Sequence, residues 1–497
     1  MRYPATRPST VVTRVQSNDS VRCRRTSTTT IRAFTGVEPS PPQSEGTNMS
    51  QISRPRKERA VSGARSVVLT CLAITILDGV DLIMFGAVLP TLLEIEQWGI
   101  TTASAGLIGS LSLFGMMAGA MLAGYLTDLV GRRPIVLACI VSFSLFTGLC
   151  AVAPTLEIFG LFRLLAGLGF GGALPTLIAL TQEYVKVERR QFYNGVIQTG
   201  FPIGGCLVAV AAIFMIPAFG WESMFAVGGL LGVVLFVIAY RSLPESIAFL
   251  MSKGRHDEAR ALTQRYSVDD SAESGLALEE PTTANAGSES GLKLLFAPGY
   301  RIATIMFPLI TFFGLLVSYG MNTWIPQMLR ASGYDLGSAL SFLLAFNIGS
   351  GFGMVVITGL ADRLGSRPVI SLSFIGGALA VSALTLQPAQ ALVFGLVLLI
   401  GFCASSTTGV YGFVGIFYPP AARGTALGLA VGLGRLGGVC GPILTGIVMS
   451  SSLGADWAYY AFAFAGVAAA VLVSLVPRRT EAVHRTDAPV EKTAEPA

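Results

Sequence analysis

From about residue 65 to residue 480 the chain is a succession of long apolar runs broken by short polar stretches. A helix needs about 20 mostly apolar residues to cross a bilayer, and twelve runs reach that length. Six precede residue 242, over roughly 67–90, 103–127, 135–153, 158–183, 194–216 and 223–241. Six follow residue 300, over roughly 302–325, 338–361, 368–387, 391–417, 424–449 and 456–477. The pattern predicts an all-α chain with bundles over 65–241 and 301–477. The stretch 242–300, rich in Ser, Glu, Asp and Gly, reads as a surface linker carrying a short helix near 255–266.

The polar stretches carry an orientation signal. Lys and Arg gather in alternate loops: between Arg54 and Arg65, at Arg132 and Arg133, at Lys186, Arg189 and Arg190, from Arg241 to Arg301, at Arg363 and Arg367, at Arg423, and at Arg478 and Arg479. The opposite loops carry Arg330 alone. The positive-inside rule then puts both termini in the cytoplasm. Residues 1–64 read as a disordered cytoplasmic tail and 478–497 as another. The Arg- and Ser/Thr-rich first ~50 residues also have the composition of a transit peptide, and Met49 offers a later start.

Composition agrees with lipid as the solvent. Charged residues make up 13% and mean hydropathy is +0.64, against about 25% charged in soluble domains. Six of the seven cysteines lie in or beside apolar runs, which is no disulfide framework. Nothing in the net charge of +5 calls for nucleic acid, and no motif calls for a metal or cofactor. Gly167, Gly169 and Gly172 match G-x-G-x-x-G but lie inside an apolar helix with no preceding strand, so they read as small residues that let span four close on span two or five.

The chain also repeats itself. "GYLTDLVGRRP" (124–134) follows span two and "TGLADRLGSRP" (358–368) follows span eight; Asp128 and Asp362 are 234 residues apart. Two six-helix halves carrying the same loop imply a parallel duplication, an architecture of transporters with a site between the halves near the midplane. The two loops resemble the loop 2–3 signature of the major facilitator superfamily. That resemblance implies gating roles for Asp128, Arg132 and Arg133, and for Asp362 and Arg367 in the second half; the plainer reading is a loop that only fixes topology.

Four charges remain inside the spans: Asp78, Asp81, Arg163 and Arg435. Each costs roughly 2.5–3.5 kcal/mol at a helix centre. At ~1.5 Å per residue, Asp78 and Asp81 lie about 17–21 Å into span one and Arg435 about 17 Å into span eleven, with Arg163 about 8–14 Å from the far end of span four. All four fall near one layer. Asp78 and Asp81, three apart, share a helix face. Two such carboxylates cannot both ionise cheaply in a desolvated cavity, so the pair reads as a proton-binding site. The arginines offer forked donors suited to an organic carboxylate. The plainer reading is two structural ion pairs. Tyr319, Asn322 and Trp324 approach the outer end of span seven, either as an aromatic and amide surface for a substrate ring or as part of the interfacial aromatic belt. Glu183 ends span four beside Lys186, Arg189 and Arg190, as a gate partner or a solvated helix end.

"LDGVDLIMFGAVLPTL" resembles span one of the aromatic acid:proton symporter family, whose hallmark is Asp-Gly-x-Asp. "RLLAGLGFGGALPTLIALTQEYVKVERRQF", "GFPIGG", "NTWIPQML" and "ARGTALGLAVGLGRLGGVCGPIL" agree with its spans four, five, seven and eleven. The resemblance implies transport or gating roles for Asp78, Asp81, Asp128, Arg163, Glu183, Arg423 and Arg435. The family's loop 8–9 histidine has no match here. The expectation is a monomeric, proton-coupled importer of small aromatic carboxylates in the bacterial inner membrane. The alternatives are a facilitator of another organic anion, a drug exporter, a sensor and a membrane enzyme; the linker shows no nucleophile, metal cluster or cofactor motif for the last.

Overall fold

The computed structural model describes residues 56–185, 190–266, 293–452 and 456–477. Most of the N-terminal tail, residues 267–292 of the linker, Lys186, Arg189 and the C-terminal tail lie outside the described residues. Among the described residues, twelve helices are long and apolar enough to cross a membrane. The first six spans are Arg65–Leu92, Thr102–Val130, Arg132–Cys150, Leu156–Tyr184, Phe192–Phe219 and Glu222–Ser242. Spans seven to twelve are Arg301–Ala331, Leu336–Leu364, Ser366–Leu386, Gln390–Phe417, Ala422–Ser450 and Asp456–Leu475. Large apolar side chains such as Phe214, Leu230, Leu372 and Phe464 are exposed on them, which is stable only against acyl chains. Two short helices, Ile247–Ser252 and His256–Tyr266, follow span six.

Two spans are interrupted, and local chemistry accounts for both. Span five breaks at Thr199, between helices Arg190–Gln198 and Gly200–Phe219. Pro202 has no N–H to give the Gln198 carbonyl, and its ring crowds that carbonyl. Span ten breaks at Ser405, between Gln390–Ala404 and Ser406–Phe417. There the hydroxyls of Ser405 and Ser406 donate to the carbonyls of Phe402 and Cys403, at 2.7 and 2.6 Å, and compete with the helix ladder.

Glycines hold the helices together, and their positions repeat the duplication. A Cβ on Gly115 or Gly119 would meet the backbone of Leu164 or Leu168 in span four; one on Gly167 or Gly171 would meet Ser112 or Met116 in span two. Exactly one offset later, 234 residues on, Gly349, Gly353 and Gly401 pack the backbones of spans eight and ten together in the same way. Helices this close exchange dispersion contacts that lipid cannot supply. Gly169 packs on the Cys139 carbonyl of span three, 2.8 Å from a built Cβ. The small residues of span four therefore close on spans two and three; span five is not their partner, because the stripe faces the interior of its own bundle.

The halves meet at the end where Arg330 lies. Arg330 forms an ion pair with Glu94. Ser110 of span two donates to the Val439 carbonyl of span eleven at 2.7 Å, and Gly106 fits against Pro442 and Gly446. Toward the Arg-rich end the same two spans carry Gly124, Gly424, Gly428 and Gly432 with open space around them. Spans two and eleven thus separate toward that end.

Gly171→Val should cost about 1–3 kcal/mol by forcing span four off the Met116 backbone, whereas Gly195→Ala, with nothing within 4 Å, should be neutral. Thermal unfolding in detergent, followed by gel filtration, checks the difference; equal melting of the two variants would refute it.

Candidate functional site

The four midplane charges divide into a closed pair and an open set. Asp81 and Arg163 form the closed pair, with Nη1 to Oδ2 at 2.7 Å and side chains only 2% and 1% exposed. Arg163 Nη2 also donates to the Asp81 carbonyl at 3.3 Å. The second carboxylate oxygen accepts from Thr147 of span three at 2.7 Å. The guanidinium lies 5.8 and 6.0 Å from the ring centroids of Phe85 and Phe225, contacts favoured by the ring quadrupole. Three helices of the first half are joined here, and both terminal nitrogens of Arg163 are committed to Asp81.

Asp78 lies one turn along span one and has no such partner. It is buried, and its Oδ1 accepts no hydrogen bond among the described residues. It feels the charge of Asp81 and, across the boundary between the halves, that of Arg435. Tyr319 of span seven lies in the field of both Arg435 and Asp78, and Tyr411 of span ten in that of Arg435 and Tyr319. Among the described residues Arg435 makes no ion pair, and the Tyr319 and Tyr411 hydroxyls make no hydrogen bond. Glycines shape the surroundings of Arg435. Gly434 and Gly437 press span eleven onto Thr311 and Phe312 of span seven, and the Tyr319 ring rests on Gly438. Buried polar groups are normally satisfied. Asp78, which is buried, and Arg435, Tyr319 and Tyr411, which are half-buried, are unspent here and can take up a small ligand with a carboxylate and a polar substituent.

Further along span seven the polar groups are occupied. The Asn322 amide donates to the Ser318 carbonyl at 3.0 Å and accepts from Asn347 of span eight at 3.2 Å. Asn347 also donates to the Leu343 carbonyl at 2.9 Å. Trp324 is fully buried and donates from Nε1 to the Pro442 carbonyl of span eleven at 3.1 Å. Trp324 is accordingly not part of a lipid-facing aromatic belt.

At the Arg-rich end the first-half signature loop is wired into its own bundle. Glu183 is buried, pairs with Arg132, and accepts from the Ser246 hydroxyl at 2.9 Å and the Ile247 amide at 2.7 Å. Glu245 accepts from the backbone amides of Arg132 and Arg133 at 2.9 and 3.1 Å. Arg133 donates to the Tyr240 carbonyl at 2.7 Å and lies over that ring. Asp128, Asp362 and Arg423 are exposed, and with Arg367 they form no ion pair among the described residues. The loops hold one half's helices together here and leave the two halves unlinked.

Thr147, Tyr411, Asn347, Phe201 and Glu245 were not singled out from the sequence. Thr147, Tyr411 and Asn347 were visible as isolated polar side chains in apolar runs. Phe201 was visible only through the duplication, 234 residues before Arg435.

Twelve spans in two six-helix bundles, with a polar set between them, define a secondary-transporter architecture. The profile of the Major Facilitator Superfamily matches residues 71–359 and 339–497. The chain is 31% identical to the benzoate transport protein of Acinetobacter baylyi over 84% of this chain and 90% of that one. It is 35% identical to the gentisate transporter of Corynebacterium glutamicum over 84% and 89%. Its fold is similar to that of the xylose transporter XylE from E. coli, with a TM-score of 0.69 at 16% identity over 84% of this chain and 100% of that one. The chain is an integral multi-pass membrane protein of the major facilitator superfamily, and within it belongs to the aromatic acid transporter family that its sequence resembles.

Arg163→Met should cost about 3–5 kcal/mol because it strands a buried carboxylate, and Asp81→Leu in the same chain should recover part of that. Arg435→Met, which breaks no ion pair among the described residues, should cost under about 1.5 kcal/mol. Thermal unfolding of the three purified variants decides; an Arg163 variant as stable as the Arg435 one would contradict the division into closed pair and open set.

Proposed function

We propose that this protein is a proton-coupled secondary transporter. It imports small aromatic carboxylates of the benzoate, 4-hydroxybenzoate and protocatechuate kind across the bacterial inner membrane, as a monomer with both termini in the cytoplasm. The single observation that carries the reading is the unspent set of Asp78, Arg435, Tyr319 and Tyr411 between the halves. The names of the relatives support the substrate class: benzoate and gentisate are both aromatic acids.

The chemistry follows from where the two charges reside. Asp78 belongs to the first half and Arg435 to the second. While Asp78 is ionised it competes for the Arg435 guanidinium. A proton arriving from the acidic outer side neutralises Asp78 and leaves Arg435 free to take the substrate carboxylate through its forked N–H groups. The halves then rock about the site and open it toward the cytoplasm. Loss of the proton there restores the attraction between Asp78 and Arg435, which helps expel the anion. The empty carrier returns with the two residues facing each other, so no uncompensated charge crosses the hydrocarbon layer.

The remaining residues take supporting roles. Asp81 and Arg163 brace the helix that carries Asp78. Tyr319 and Asn322 face the ring side of the site, and Trp324 seals its outer end. When the Arg-rich ends come together, Asp128, Arg132, Arg133 and Glu183 close the inner gate with Asp362, Arg367 and Arg423.

Asp78→Asn should leave folded protein that exchanges labelled 4-hydroxybenzoate in counterflow, while accumulation driven by an acidic exterior falls about tenfold or more. Proteoliposome assays of both activities check this. Full pH-driven accumulation by the variant would remove Asp78 from proton coupling. Flux of non-aromatic acids or cationic drugs, with none of aromatic acids, would favour a different carrier class.

A further inference from the structure

Phe201 occupies the position in span five that corresponds, across the 234-residue offset, to Arg435 in span eleven. Its backbone lies directly against Gly79, the residue after Asp78; a Cβ on that glycine would come 2.9 Å from Phe201 Cα. Its half-buried ring meets Tyr319 edge to face, with centroids 6.0 Å apart and planes at 90°. Tyr319 rests in turn on Gly438, one turn beyond Arg435, where a Cβ would lie 2.8 Å from the ring. One ring from each half therefore stands beside the Asp78–Arg435 layer. Gly79 lets the Phe201 backbone come close to it, and Gly438 lets the Tyr319 ring do so.

We infer that Phe201 is a specificity-determining residue: with Tyr319 it forms a slot that selects a flat aromatic ring while Arg435 holds the carboxylate. The inference rests on the proposed transport function and says which part of the substrate the protein reads. A planar aryl group can stack on one ring and meet the edge of the other, and gains from both quadrupoles. A saturated ring of equal size is puckered and has no quadrupole. It carries the same carboxylate, so Arg435 cannot tell the two acids apart. Discrimination then falls to Phe201 and Tyr319, whose rings come from opposite halves and meet only when both line the site.

The test uses the full chain in proteoliposomes under an imposed pH gradient, and compares half-saturating concentrations for benzoate and cyclohexanecarboxylate. The wild type should prefer benzoate by roughly three- to tenfold. Phe201→Leu should bring the ratio close to one by raising the benzoate value, with that for cyclohexanecarboxylate unchanged; Phe201→Tyr should keep the preference. Should the Leu variant fail to give monodisperse protein, Phe201→Met makes the same comparison. A folded Leu or Met variant with the wild-type ratio overturns the inference. A wild type that carries both acids equally well leaves the transport reading standing and removes this one. A wild type that carries no aromatic acid removes both.

Discussion

A charge in the hydrocarbon layer must be neutralised, paired or wetted, and the centre of this molecule is organised by that requirement. Asp81 and Arg163 meet it by pairing at 2.7 Å. Thr147 takes up the second Asp81 oxygen and the span-one backbone takes Arg163 Nη2, while Arg163 Nε has no partner among the described residues. Asp78 and Arg435 do not meet it by direct contact. They lie on different halves and interact through space, so each depends on what occupies the gap. The first pair makes a rigid wall. In the proposed symport, the second is the place where a proton and an anion substitute for each other.

The wall and the gap both rely on close helix packing. Gly115, Gly119, Gly167 and Gly171 bring spans two and four into backbone contact, and Gly349, Gly353 and Gly401 do so for spans eight and ten. Interiors this dense move as rigid bodies, so motion is directed to the boundary between the halves. At one end that boundary is closed by Gly106 against Pro442, the Ser110 hydroxyl bond and the Arg330–Glu94 ion pair. The ion pair is half-exposed and contributes about 0–1 kcal/mol. Closure therefore owes more to fitted surfaces than to charge, and it is cheap to reverse.

The two signature loops show how a duplicated motif diverges in use. In the first half, Arg132 and Arg133 are tied to Glu183, Glu245 and Tyr240. In the second, Asp362, Arg367 and Arg423 form no ion pair among the described residues. The half that carries Asp78 is thus laced at its Arg-rich end, and its counterpart is open there.

Twelve spans and the duplication were legible in the sequence, because lipid forces long apolar helices. The presence of Asp78, Asp81, Arg163 and Arg435 inside apolar spans was legible for the same reason. Which acid pairs with which base was not. Asp78 and Asp81 differ by less than one helical turn, and only the rotation of span one within its bundle sends Asp81 to Arg163 and leaves Asp78 Oδ1 without a partner among the described residues. The fate of Trp324 was likewise set by packing: its indole N–H turns to the Pro442 carbonyl, where composition alone fits a membrane-interface side chain equally well. The break at Thr199 was written in Pro202, but the partner of the Phe201 ring was not. Local sequence determines which helices form and how deep each charge lies. The angle at which those helices meet decides what each charge touches, because that angle is set by long-range glycine contacts that no local pattern contains.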